Sequence, residues 1–131
     1  MIKNKDLIVN FVQKILGCGC PTEVFDDITL IENHRLCQYT ILKYKIVIGG
    51  KLLIYIIENP EPEYIEDNLM NVIFMGKAER NSDGLNRFRL VLISQDIEKI
   101  KNISEEYFLS MSKDDDKMHL HLISPKDLPV L

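Results

Sequence analysis

A chain of 131 residues with 46% hydrophobic and 27% charged residues has the make-up of one ordinary globular domain, with enough apolar content for a core without staples. A net charge of −4 and a pI near 5.4 argue against general nucleic-acid binding and against docking on an anionic membrane surface. No apolar run approaches the length of a bilayer span, and the three cysteines are an odd number, so the chain is read as a cytoplasmic protein with its thiols reduced.

Leu7, Ile8, Phe11, Val12, Ile15 and Leu16 recur at helical spacing, with Asn4 as a candidate N-cap. Charges lie inside this apolar pattern, so it does not read as a signal peptide. Gly17 is placed to end the helix in a left-handed conformation. Pro21 suits the first position of a second, short helix. Cys20 would cap it and Glu23 would be its third residue, the capping-box spacing with cysteine in place of serine.

A β region follows. Ile28 to Ile31 reads as a short strand, Asn33-His34-Arg35 as a turn, and Tyr39 to Ile48 as a long alternating strand. Gly49-Gly50 is a hairpin turn, and Leu52 to Ile57 is apolar throughout, as in a strand buried on both faces. Pro62 suits a helix start. That helix carries Ile65, Leu69, Val72 and Ile73 inward and runs to about Arg80. Arg87 to Ile93 is the next strand. Asp96 caps a helix with Ile97, Ile100, Ile103 or Ser104, Tyr107, Phe108 and Met111 inside. Asp114-Asp115-Asp116 reads as a solvated turn, and Met118 to Ile123 as the last strand.

This order predicts an α+β or α/β domain with a mixed sheet of about five strands. An antiparallel hairpin is followed by a β-α-β-α-β unit, whose crossovers make its strands parallel. The first helix must then cover whatever sheet surface the two crossover helices leave open.

Three residue sets could carry chemistry. Cys18 and Cys20 flank Gly19, closer than the usual C-x-x-C of redox proteins. A disulfide there would be easily reduced, which suits a transient redox pair. The same two residues are candidate metal ligands, and equally two small residues packed in a corner. His119 and His121 are two apart on a strand and share a face. With Cys18 and Cys20 they would make a four-ligand zinc site, with His34 and Cys37 as substitutes. The alternative is an edge strand with its polar face outward. Finally, Lys43-Tyr44-Lys45, Arg87-Phe88-Arg89 and His119-Leu120-His121 each repeat a basic-x-basic pattern. Aligned on one sheet face, Lys43, Lys45, Arg87 and Arg89 would form an anion-binding patch.

The carboxyl ends of the parallel strands carry Glu58, Asn59, Ser94, Gln95, Asp96 and Ser124, where an α/β active site would sit. No glycine-rich phosphate loop, G-x-S-x-G elbow or H-E-x-x-H motif accompanies them.

The stretches LGCGCPTEVF, IGGKLLIYIIE, NRFRLVLIS and DDKMHLHLIS, taken together, resemble a family of small prokaryotic proteins. That family has an LGC-x-CP-x-EVF stretch near the N-terminus and an HLH strand near the end. The resemblance implies a single cytoplasmic domain and brings no activity or catalytic residues with it. Two readings follow. The first is a non-catalytic binding or interaction module meeting a protein partner or a second copy of itself. The alternative is a thiol-redox or zinc-binding protein centred on Cys18 and Cys20.

Overall fold

The computed structural model describes residues 5–131. Helix α1 covers Lys5–Asn10 and widens into a π-helical turn over Phe11–Ile15. The widening shows in the Leu16 N–H, which donates to the Phe11 carbonyl five residues back at 3.0 Å. Ile8, Phe11, Val12 and Leu16 are buried, while Leu7 and Ile15, expected on the same face, stay on the exposed side. The proposed cap Asn4 lies outside the described residues. Gly17 ends the turn at φ +68°, and the Cys18 N–H donates to the Val12 carbonyl at 3.0 Å.

The next element corrects the expectation of a capped short helix. Thr22–Asp26 form a 3₁₀ turn, Pro21 occupies the cap position in an extended conformation, and no side chain caps it. The helical backbone starts one residue later than Pro21 at N1 would require. Cys20 is therefore not a helix cap.

Strand β1 spans Ile28–Cys37 and β2 spans Thr40–Ile48. The expected turn at Asn33-His34-Arg35 lies inside β1, with Asn33 at φ +54°, and the chain reverses at Gln38-Tyr39. β1 is an edge strand with much of its surface open to solvent, so it needs no alternating apolar face to persist. Gly49 and Gly50 make the β2–β3 turn at φ +60° and +62°, a conformation glycine adopts without penalty. Strand β3 is Leu52–Glu58, and all of it but Glu58 is buried. Helix α2 is Pro62–Ser82, strand β4 Arg87–Ile93, helix α3 Ile97–Ser112 and strand β5 Met118–Ile123. Asp96 sits at the N-cap of α3 but makes no side-chain cap bond. Instead its N–H donates to Ser94 Oγ at 3.1 Å.

The sheet is mixed and five-stranded, in the order β1-β2-β3-β4-β5. β1, β2 and β3 pair antiparallel, and β3, β4 and β5 pair parallel. This is the predicted α+β architecture. Two cores lie on its two faces. One packs Leu53, Tyr55, Phe88 and Leu90 under α2 and α3. The other packs Tyr44, Ile46, Ile54 and Val91 under Ile8, Phe11, Val12, Leu16, Cys18 and Phe25. The N-terminal segment thus closes the face that the crossover helices leave open. It lays the Gly17–Pro21 turn against the start of β4.

Two buried contacts fasten the α2 side. Arg80 is only 7% exposed, and its guanidinium grips the Asp115 carboxylate, with Nη1 to Oδ1 at 3.1 Å. The Asp114-Asp116 turn is therefore anchored at its centre rather than wholly solvated. Gly76 of α2 lies so close to Phe88 that a Cβ there would stand 2.2 Å from the ring. Among the described residues, no helix is long and apolar enough to cross a membrane.

Candidate functional site

Cys18 and Cys20 are joined as a disulfide, with their Cα atoms 5.3 Å apart, inside the ordinary range for such a bond. Cys18 is buried in the N-terminal core, and Cys20 is only partly covered. The pair forms one wall of an open cleft of about 430 Å³. The same cleft is lined by Lys51, at the end of the Gly49-Gly50 turn, and by Asn86, Arg87 and Arg89, at the start of β4. The backbone sets this juxtaposition. The N–H groups of Asn86 and Arg87 both donate to the Lys51 carbonyl, at 2.7 and 3.0 Å, which pins the hairpin end to the start of β4.

Arg89 is the centre of the arrangement. It is 7% exposed. Its Nη1 donates to the Leu16 carbonyl at 3.0 Å, tying β4 to the turn that carries the cysteines, and lies 2.9 Å from His121 Nε2 on β5. A guanidinium has only donors, so Nε2 must accept and the His121 proton must sit on Nδ1. The imidazole is therefore neutral. Burial, then Arg89, then His119 push its pKa down to about 4. His119 is lowered too, by burial, then Arg89 and Arg87, and its Nδ1 is buried without a partner among the described residues. Burial and the neighbouring Arg87 also disfavour the charge on Arg89, but its ordinary pKa is far above neutrality and the guanidinium stays protonated. Its Nε is buried with no hydrogen bond among the described residues. Neither Lys51, Arg87 nor Arg89 forms an ion pair with a carboxylate among the described residues.

The three basic pairs do not line up. Register decides this. Ile46 pairs with Ile54, Ile54 with Arg89, and Arg89 with His119, so Arg87, Arg89, His119 and His121 share the face under the N-terminal segment. Lys45 pairs with Tyr55 and Tyr55 with Leu90, which puts it on the opposite face, where it is paired with Glu79 of α2. Lys43 is two residues away along β2, 5.6 Å from the Tyr44 ring. The four-cation patch is thus split, and Lys51, which the basic-x-basic pattern does not include, takes the place of Lys43 and Lys45. Its only signal in the sequence is its position directly after Gly49-Gly50.

The four zinc candidates are not gathered either. Among the described residues, no three of His, Cys, Asp and Glu stand together so as to hold a metal ion. Arg89 occupies the His121 lone pair that a metal would need, and the cysteine sulfurs are bonded to each other. His34 and Cys37 lie on β1, four strands from β5, and the Cys37 thiol is approached by Asn71 Nδ2 at 3.9 Å.

A smaller cavity of about 290 Å³ at the carboxyl ends of the parallel strands is lined by Asn59, Ser94, Gln95 and Asp96 with Lys99 and Glu61, which pair with each other at 2.8 Å. A wider groove, about 690 Å³, runs between α3 and the edge strand β5. Among the described residues, no serine hydroxyl lining either one is hydrogen-bonded to a side-chain base. Compared with protein-family models, curated proteins and solved structures, the chain matches none of them.

Proposed function

We propose that the protein is a dithiol–disulfide module whose working group is the Cys18–Cys20 pair. The observation that carries this reading is a disulfide closed across one residue in the wall of an open, cation-lined cleft. A structural disulfide gains most by closing a long loop. This one spans a sequence separation of two, so it contributes little to chain entropy. The cations lining the same cleft favour a thiolate when the pair opens.

The exchange balances as follows. The thiolate of an external thiol attacks Cys20, the more exposed sulfur. The Cys18–Cys20 bond breaks, a mixed disulfide forms on Cys20, and Cys18 leaves as a thiolate. A second external thiol then releases Cys20, taking the first away as a disulfide. The protein gains two electrons and two protons, and the external thiols lose them.

The test is equilibration of native protein in graded thiol–disulfide buffers, followed by alkylation and mass measurement. Two cysteines should become alkylatable together, in a two-electron transition above about −300 mV, the level below which structural disulfides resist reduction. Cys18→Ser and Cys20→Ser variants should each abolish the transition. A pair that stays closed in excess dithiol under native conditions would refute the proposal. So would three thiols that never oxidise.

A further inference from the structure

Arg89 poses a separate question. A buried charge without a counter-charge is costly, and buried charges are ordinarily paired. Arg89 lies in a buried part of the sheet with a carbonyl and a neutral imidazole for neighbours. Arg87 stands two residues away on the same strand face, and Lys51 is fixed beside it through the bonds from Asn86 and Arg87. Among the described residues, no aspartate or glutamate lines this cleft. Three cations therefore converge on about 430 Å³ of open space in a protein whose net charge is −4. Solubility does not explain the placement, because a solvating charge belongs on the surface and Arg89 is not there. The backbone N–H groups of Gly19 and Cys20, which line the same cleft, have no hydrogen-bond acceptor among the described residues.

We infer that this cleft is a binding site for an oxyanion group of a small molecule, a phosphate or a carboxylate, held by Arg87, Arg89 and Lys51. Arginine forks match both groups with paired N–H donors, and the Lys51 ammonium adds a point charge at the rim. The cleft is bounded by the Gly17–Pro21 turn, which suits a compact anion rather than a polymer backbone. The acidic remainder of the surface repels nucleic acid. The site is present with the disulfide closed and does not require the cysteines to change state in order to bind.

The test is a titration of ¹⁵N-labelled full-length protein with inorganic phosphate, and separately with malonate, at constant ionic strength. Saturable shifts should appear at Gly19, Cys20, Lys51, Asn86 and Arg87. Phosphate saturating first assigns a phosphate ligand, and malonate first assigns a carboxylate. Arg87→Gln and Lys51→Gln remove one positive charge each at partly or fully exposed positions, so the fold should tolerate both. Each should weaken binding about tenfold, the value of one charge-assisted hydrogen bond. Lys43→Gln makes the same charge change on β2, away from the cleft, and should leave affinity within about twofold. The Cys18→Ser/Cys20→Ser double variant should still bind, which separates this site from the redox reading. Equal losses for Lys43→Gln and Arg87→Gln would overturn the inference, as would the absence of saturation with both anions.

Discussion

Acidification should destabilise the fold well above the range where carboxylates protonate, and His121 should be the main cause. Its pKa falls from 6.5 to about 4 in the folded protein. For a histidine held neutral in the fold, the unfolded chain binds the proton first. The stability it protects is complete above pH 6.5 and is lost as pH falls from there towards 4. Those two values give a loss of about 2 kcal/mol between pH 8 and pH 5. The ring is partly exposed, and solvent screening trims the expected loss to about 1–2 kcal/mol. The groups facing His121 work in one direction. Arg89 donates to Nε2, and burial, Arg89 and Arg87 lower His119 in the same sense. Asp115 is also lowered, but its stability term is lost only below its ordinary value of 3.8. Urea unfolding at about pH 8 and pH 5 measures the difference directly. His121→Gln keeps an acceptor for Arg89 and removes the proton site, so its stability should change much less between the two pH values. An unchanged pH dependence in His121→Gln, or a wild type equally stable at both pH values, would refute the reasoning.

Three further outcomes can be checked by the same unfolding measurements. Gly76→Ala puts a methyl group 2.2 Å from the Phe88 ring, and overpacking of about 1–3 kcal/mol should outweigh the helix-propensity gain of up to about 1 kcal/mol. Asp115→Ala strands the buried Arg80 charge and should cost about 3–5 kcal/mol, whereas the double variant Arg80→Met/Asp115→Ala should recover a large part of that loss. Gly49→Ala should cost more than Gly50→Ala. Both hold positive φ, but only at Gly49 would a Cβ meet Val24, at 2.7 Å.

The elements that bury a continuous or periodic apolar face were legible in the sequence: β3 from its unbroken run, α2 from Ile65, Leu69, Val72 and Ile73, and β4 and β5 from their bounds. Elements without such a face were not. β1 carries Glu32, Asn33, His34 and Arg35 in mid-strand, because pairing with β2 rather than burial holds it extended. The faces of the basic pairs were beyond reach for a different reason. A single residue of register decides which face a strand residue takes. The parity between β2 and β4 passes through the Gly49-Gly50 turn and then through the α2 crossover, and no local pattern records the second step. In the sequence Arg89 was legible only as one of a basic-x-basic pair and an anion-patch candidate, although Phe88 and Leu90 beside it already implied a strand covered on one face. Cover for the other face was expected of the first helix, but that it falls over Arg89 follows only from where α1 and the turn after it pack.

Arg89 also explains why the Cys-Gly-Cys turn lies where it does. The bond from Nη1 to the Leu16 carbonyl holds the chain just ahead of Cys18, and His121 accepts on the far side of the same guanidinium. One buried cation therefore borders both the disulfide and the open cleft. With the disulfide closed, the cysteines offer it no negative charge, and an external oxyanion is the group that can neutralise it. A thiolate released at Cys18 would carry negative charge into the same neighbourhood and oppose that oxyanion. Binding measured on reduced protein should accordingly be weaker than on oxidised protein. By linkage, a saturating anion should make the pair easier to oxidise by the same factor.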